Sequence, residues 1–201
     1  EIAGCDKVCL QSTGRGRFNN VKASRQAKTD WWHSDREGFL TQLKREMHNF
    51  IRTCKKQGVK PVFRLNTISD IAWETHLDLD GEFGDAYFYD YTKRAKRLGN
   101  TPQNYDLMFS FSTRNLYRKQ VTKALRTKVP MAVVGHCEMP KTFLGRPCID
   151  GDASDIINVQ SGEVVIWLTA KGSAKQDQSG FVVHDTALVE QAYGIDLIAS
   201  A

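Results

Sequence analysis

The chain has 201 residues, of which 41% are hydrophobic and 25% are charged, and its formal net charge is +5. This length suits one domain with a full hydrophobic core, and no apolar run approaches the roughly 20 residues that a membrane-spanning helix requires. The mild positive charge permits a nucleic-acid or phosphorylated partner without requiring one.

The amino terminus and the cysteines favour an intracellular protein. The first residues lack the charged, apolar and small-residue order of a secretory signal, and five cysteines, an odd number, argue against a disulfide scaffold. We therefore expect a single soluble domain over residues 1–201, with no membrane partner, in the cytoplasm.

The first clear helix is predicted after residues 1–32, which we expect to be an irregular segment rich in cysteine and basic residues. Ser34 and Glu37 have the spacing of a capping box. An apolar stripe at three- and four-residue spacing follows them, and Gly58 is expected to end the helix. The stripe comprises Phe39, Leu40, Leu43, Met47, Phe50, Ile51 and Cys54.

Six short apolar runs come next and predict strands at residues 62–65, 86–89, 107–111, 131–134, 147–149 and 164–168. They are largely apolar rather than alternating, which is typical of parallel strands buried on both faces. A second helix is predicted over residues 115–128, with Leu116, Val121, Ala124 and Leu125 facing inward. Residues 173–201 form a C-terminal tail with a final helix near 185–193.

The alternation of strands and helices indicates an α/β fold, and two architectures fit it. One is a partial or closed β/α barrel of the TIM type, and the other is an open doubly wound sheet. We favour the barrel, because polar residues follow nearly every strand and barrel sites draw single residues from many strand ends. An open sheet concentrates its site at one switch point instead.

The residues at these strand ends form the predicted site. The predicted catalytic residues are Asp70, Asp90, Lys93, Asp150 and Lys171, because neighbouring carboxylates share protons or bind a cation and can alter the reactivity of a nearby lysine. The predicted substrate-binding residues are Arg64, Asn66, Ser69, Ser110, His136, Arg15 and Arg17. We expect Asp90 and Lys93 to act as a pair, with Asp90 on the side of its strand opposite Tyr89 and Tyr91. For any one of these residues, helix capping or a salt bridge is an equally good explanation.

Two short motifs raise the question of a metal. Asp150-Gly-Asp152 can chelate a divalent cation, with Asp152 as the predicted ligand, but the same sequence favours a tight turn. Cys5 and Cys9 do not have the spacing of structural zinc ligands. They fit part of a three-cysteine iron–sulfur motif that Ser12 interrupts, and ordinary packing of small residues explains them equally well.

A basic segment near the amino terminus mixes cations with aromatic rings. Its cations are Arg15, Arg17, Lys22, Arg25 and Lys28, and Trp31 and Trp32 follow them. Such mixtures can hold phosphates and stack bases. The glycine spacing fits neither a P-loop nor a dinucleotide-binding motif. The alternative is a solvated basic face with both tryptophans in the core.

Four strings of sequence, at residues 64–74, 89–93, 143–152 and 168–181, resemble the phage protein family known as gene product 88. The resemblance covers nearly the whole chain. It implies a phage or plasmid origin and a location inside the host cell, and it supplies no reaction. Family members usually begin with a cysteine-rich segment, often with a further cysteine before the pair that matches Cys5 and Cys9.

Two functional hypotheses remain open. The first is an enzyme acting on a phosphorylated, nucleotide-like or nucleic-acid substrate with the strand-end residues as its site; a cysteine-bound cluster would give it the layout of radical-SAM enzymes. The second is a non-catalytic nucleic-acid-binding accessory protein that uses the basic segment. A deep mouth lined by the predicted acids and lysines favours the enzyme, and a flat basic face favours the binder.

Overall fold

A computed structural model of the protein describes residues 3–4 and 14–194. The strands are β1 (Val62–Phe63), β2 (Tyr87–Thr92), β3 (Tyr105–Ser110), β4 (Met131–Gly135), β5 (Thr142–Phe143), β6 (Arg146–Asp150) and β7 (Val165–Thr169). The helices are α1 (Asn19–Ser34), α2 (Arg36–Gln57), α3 (Arg118–Leu125), α4 (Asp155–Val159) and α5 (Thr186–Tyr193). Short 3₁₀ turns lie at Gly14–Arg17, Trp73–Thr75, Ala95–Arg97, Asn115–Tyr117 and Gly172–Gln176.

The strands form a seven-stranded sheet in the order β1-β2-β3-β4-β7-β6-β5. All strand pairs are parallel except the β5–β6 hairpin. The prediction of an α/β fold with mostly parallel strands is therefore confirmed. The TIM-like barrel is not confirmed, because the sheet is open. After β6 the chain turns back and inserts β7 beside β4, so β1 and β5 remain as edges instead of meeting.

Both faces of the sheet are covered, and the covering elements follow from the crossover rule. On one face, Val121 and Ala124 of α3 join a large core with Phe109 and Val133. On the other face, Val159 of α4 packs in a smaller cluster with strand residues. The connection from β3 to β4 moves along the sheet in one direction, and the connection from β6 to β7 moves back in the other. Because both crossovers are expected to be right-handed, α3 and α4 lie on opposite faces.

The amino-terminal part of the fold corrects two predictions. Residues 19–34 form α1, so the segment 1–32 is not irregular throughout; the helix lacked a sequence signal because it has no apolar stripe and buries no residue. The N-cap of α2 is Asp35, which accepts a hydrogen bond from Gly38 N at 2.9 Å, because Ser34 is the last residue of α1. The predicted end of α2 is confirmed, since Gly58 has a positive φ of 66°.

Smaller differences lie nearer the carboxyl end. Leu116 is 75% exposed rather than inward, because the predicted helix begins with a 3₁₀ turn. Strand β5 was not predicted; Leu144 and Gly145 both have positive φ values, 51° and 77°, and turn the chain as in a type I′ hairpin. The final predicted helix is confirmed as α5. Across the part of the chain that the structure describes, none of the helices combines the length and the apolar composition needed to cross a bilayer.

Candidate functional site

A buried charge network centred on Arg97 lies behind the ends of β1 and β2. The guanidinium donates to Asp70 Oδ1 at 2.6 Å, to the two Glu74 carboxylate oxygens at 2.9 and 2.8 Å, and to the Tyr105 hydroxyl at 3.0 Å. Arg97 is only 4% exposed. Burial alone would lower the pKa of Arg97, but the hydrogen bond to Glu74 and the neighbouring charges raise it above its ordinary value. The arginine is therefore charged and paired, and it ties three segments together.

Asp90 lies inside this network rather than at an open mouth. As predicted, it is on the side of β2 opposite Tyr89 and Tyr91. Its carboxylate is 0% exposed. It accepts hydrogen bonds from Asn66 N at 2.9 Å, Asn66 Nδ2 at 3.1 Å and the Tyr105 hydroxyl at 2.9 Å. Burial raises the pKa of Asp90 to about 6, although these hydrogen bonds act to lower it.

The loop after β1 brings together three further predicted residues: Asn66, Ser69 and Asp70. The Asn66 side-chain oxygen accepts from Ser69 Oγ at 2.7 Å, Ile71 N at 3.0 Å and Trp73 Nε1 at 3.1 Å. Because these bonds satisfy the amide oxygen within the protein, Asn66 shapes the loop and supports Asp70 in its contact with the arginine network.

Lys93 and Ser110 meet at the carboxyl edge of adjacent strands. Lys93 Nζ donates to Ser110 Oγ at 2.8 Å, and it lies 4.5 Å from the ring centroid of Phe181 and 5.8 Å from that of Tyr117. The Lys93 backbone N–H donates to Asp70 Oδ2 at 2.9 Å. This edge of an open parallel sheet is where α/β proteins commonly bind ligands.

Residues 177–184 cross the carboxyl end of β4, close to the point where strand addition reverses. Val183 N donates to Val134 O at 2.8 Å, and His136 N donates to Val183 O at 2.8 Å. The Asp177 carboxylate accepts three backbone N–H groups within residues 179–182 and fixes the turn. The exposed rings of His136 and His184 meet edge to face, with centroids 5.5 Å apart. The predicted residue His136 thus lies on the surface beside this crossing segment.

The acids on β6 are remote from the acids near β2. Asp150 is exposed, and its Oδ1 accepts from Asp152 N at 2.9 Å; Asp152 Oδ1 in turn accepts from Lys171 Nζ at 2.8 Å. Three strands separate β6 from β2, which is about 19 Å at roughly 4.8 Å per strand. The expectation that all five predicted catalytic residues converge at one mouth is therefore wrong. Its physical cause is the open sheet, which lays successive strand ends out in a row.

Arg64 lies on the opposite face from Asp90. Its Nη1 donates to Asp155 Oδ2 at 2.8 Å, and its guanidinium carbon lies 4.6 Å from the ring centroid of Tyr91. The Tyr91 hydroxyl donates to Asp155 Oδ1 at 2.8 Å. These contacts fasten the start of α4 to β1 and β2.

The predicted metal ligands receive no support from the described residues. Cys5 and Cys9 lie outside those residues. Within residues 3–4 and 14–194, no group of three or more His, Cys, Asp or Glu side chains is placed to hold a metal ion. Asp152 is paired with Lys171, and that hydrogen bond lowers the pKa of Asp152. Cys54 is buried in α2, as its place in the apolar stripe predicts.

Residues 14–34 form a surface that we call the basic arm. It carries five Lys and Arg against one Asp, which is four of the five net positive charges of the chain. Arg15 and Arg17 are exposed in the 3₁₀ turn, and Arg25 is half-buried and donates to Gly16 O at 3.3 Å. The other two cations of the arm, Lys22 and Lys28, are also exposed.

The carboxyl end of the basic arm packs against the body of the protein through aromatic contacts. The ring of Trp32 lies 5.4 Å from those of Phe39 and Trp73, whereas Trp31 is 37% exposed and contacts Phe39 at 5.3 Å. Neither tryptophan is fully buried, so the aromatic residues join the arm to the body without drawing its cations into the core.

Sequence reasoning missed several residues that organise this region. Arg97 occurs in a basic run, residues 93–97, in which nothing in the sequence distinguishes it from the other cations. Glu74 follows Asp70 by four residues, and that spacing is the usable signal for a shared cationic partner. Arg146, also missed, is buried and donates to the carbonyl oxygens of Leu125, Thr127 and Val129 at the end of α3, at distances of 3.0, 2.6 and 2.7 Å. Long-range partners of this kind leave no local pattern.

Comparison with known proteins gives one informative result. No curated protein and no solved structure matches the chain. The family model described as Gene product 88 matches residues 2–185. The chain therefore belongs to the gene product 88 family of phage proteins.

Proposed function

We propose that this protein binds nucleic acid through the basic arm, as a phage accessory protein inside the host cell. The observation that carries the proposal is that α1 buries no residue, yet holds most of the chain's net charge together with the preceding turn. Among the described residues, the helix contacts the core only through the partly buried Trp32. Because ordering a helix that adds so little to the core costs conformational entropy, its cations are better explained by a partner than by folding.

The arm suits a polyanion. Its 16-residue helix is about 24 Å long, which spans several phosphates of a nucleic-acid strand. The exposed cations of the arm are Arg15, Arg17, Lys22 and Lys28. The exposed Trp31 ring offers a surface on which a base can stack. Phosphate contacts of this kind give affinity without base-edge recognition. We therefore expect weak sequence preference.

The test removes three charges from the arm. The variant Arg17→Gln/Lys22→Gln/Lys28→Gln should bind a duplex or single-stranded oligonucleotide roughly 10- to 100-fold more weakly at low salt. The slope of log K against log salt should become shallower by about 2 to 3, because each lost phosphate contact removes about 0.9 for duplex DNA. Fluorescence anisotropy over a salt series measures both quantities.

The matched control is Lys119→Gln/Lys123→Gln/Lys128→Gln, which removes the same charge from exposed positions in and after α3. It should leave the slope nearly unchanged. Equal losses in the two variants would show that only net charge matters, and no binding by the unmodified protein at low salt would contradict the proposal outright.

A second candidate function is an enzyme for a phosphorylated, nucleotide-like substrate, favoured by the Lys93–Ser110 contact at the carboxyl edge of the sheet. A lysine there can hold a phosphate beside a hydroxyl. A panel of nucleoside phosphates should then show turnover that Lys93→Met lowers at least about 100-fold and that the exposed Lys96→Met leaves intact. Turnover by Lys93→Met equal to that of the unmodified protein would remove this candidate.

A further inference from the structure

A groove of about 610 Å³ lies between one face of α2 and the turn before β2. Its α2 wall is formed by residues that recur at three- and four-residue spacing, and its other wall is the turn 81–85. The groove opens beside the amino end of β2, at the opposite edge of the sheet from Lys93 and Ser110. The polar side chains on the α2 wall are Arg45, His48, Asn49, Arg52 and Lys55, and Ile51 also lines the groove.

Both carboxylates of the turn are already neutralised. The Glu82 carboxylate accepts from Lys44 Nζ at 2.5 Å and lies 3.1 Å from His48 Nε2. Burial alone would raise the pKa of Glu82, but the hydrogen bonds from Lys44 and His48 outweigh it and lower the pKa. Asp85 is paired with Lys55 Nζ at 2.6 Å. Lys44 and Lys55 therefore neutralise the two carboxylates of the groove.

Two arginines on the same wall remain uncompensated. Arg45 and Arg52 make side-chain hydrogen bonds to the amide oxygens of Gln42 and Asn49, which carry no charge. Among the residues that the structure describes, neither arginine makes an ion pair. They are seven residues apart on α2, which is about 10.5 Å along the helix axis. The groove thus presents two guanidinium groups, one toward each end of the wall.

The groove also has an aromatic element between the two arginines. The ring of His48 packs against Phe83, with centroids 4.8 Å apart and planes tilted by 35°. His48 remains exposed on its other side, so a planar group can lie against it. The volume falls within the range of small-molecule sites, roughly 300 to 1,000 Å³.

We propose that this groove binds a phosphate ester of a nucleotide, with Arg45 and Arg52 as its phosphate ligands. Guanidinium groups bind phosphate oxygens in pairs of parallel hydrogen bonds, and here they have no carboxylate to displace. None of the residues of the basic arm lines the groove, so the site does not depend on the function proposed above. The phosphate can come from a free nucleotide or from a nucleic-acid strand.

The test compares three ligands by isothermal titration calorimetry: inorganic phosphate, ATP and a short single-stranded oligonucleotide. The variant Arg45→Gln/Arg52→Gln should weaken binding of ATP or of the oligonucleotide by about 100-fold, because two charge-assisted contacts are lost. Loss of ATP binding identifies a free nucleotide as the source of the phosphate, and loss confined to the oligonucleotide identifies a strand.

Two controls separate this proposal from the first. Lys56→Gln/Lys141→Gln removes two exposed charges outside the groove and should bind all three ligands as the unmodified protein does. The triple variant of the basic arm should retain ATP binding even where it loses the oligonucleotide. If the groove variant binds ATP and the oligonucleotide with unchanged affinity, the groove is not a phosphate site.

Discussion

Arg97→Ala should lower the free energy of unfolding by about 3 to 5 kcal/mol, the cost of removing one partner from a buried charge network. Asp70 and Glu74 would lose their shared cationic partner, and the Tyr105 hydroxyl would lose a donor. Urea unfolding followed by circular dichroism measures the change at neutral pH.

The control for this variant is Lys96→Ala, one residue away in the same 3₁₀ turn and exposed. It should change the stability by no more than about 0.5 kcal/mol. A loss below about 1 kcal/mol for Arg97→Ala would show that water enters the network and that the arginine is not a structural centre.

Asp90 should give the protein a stability component that weakens as the pH rises. The pKa of Asp90 is about 6 in the folded protein, above the ordinary value of 3.8 for an aspartate. Protonation therefore favours the folded state, and this contribution is fully present below about pH 4 and is lost as the pH rises through 6. The difference between these two pKa values corresponds to about 3 kcal/mol in the free energy of unfolding.

The measurement is the difference in unfolding free energy between the unmodified protein and Asp90→Asn, from pH 4 to pH 8. Asparagine cannot ionise, so the unmodified protein should lose about 3 kcal/mol of stability relative to the variant over this range. The contributions of other titrating groups cancel in the difference. A difference that stays constant with pH would mean that Asp90 ionises in the folded protein as an exposed aspartate does.

The sequence was most informative where the physical signal is local. The apolar stripe of α2 and the left-handed residue Gly58 are periodicity and turn signals. The structure confirms the helix and its end, although Phe50 of the stripe is 46% exposed. Each of the six predicted strands overlaps an observed strand, because uninterrupted apolar runs mark strands that are buried on both faces.

The architecture depended on information that no local window contains. A barrel and an open sheet have the same alternation of strands and helices, and they differ in where β7 is inserted. The predicted grouping of the site residues was wrong for the same reason: the polar strand ends were recognised, but which of them lie together depends on strand order. Asp90 illustrates the difficulty, since its position after an apolar run fits a mouth and a buried network equally well. No local pattern shows that Tyr105 connects Asp90 to Arg97.

The insertion of β7 between β4 and β6 has a consequence for synthesis on the ribosome. The first four strands can pair in the order in which they emerge, but β4 must then wait for residues 165–169 before its second neighbour exists. During that interval its outer edge presents unpaired backbone groups and the apolar side chains of residues 131–134 to other nascent chains. A translational pause within this stretch would therefore leave an aggregation-prone folding intermediate. The rate of elongation across it would influence how much of the protein reaches the native state.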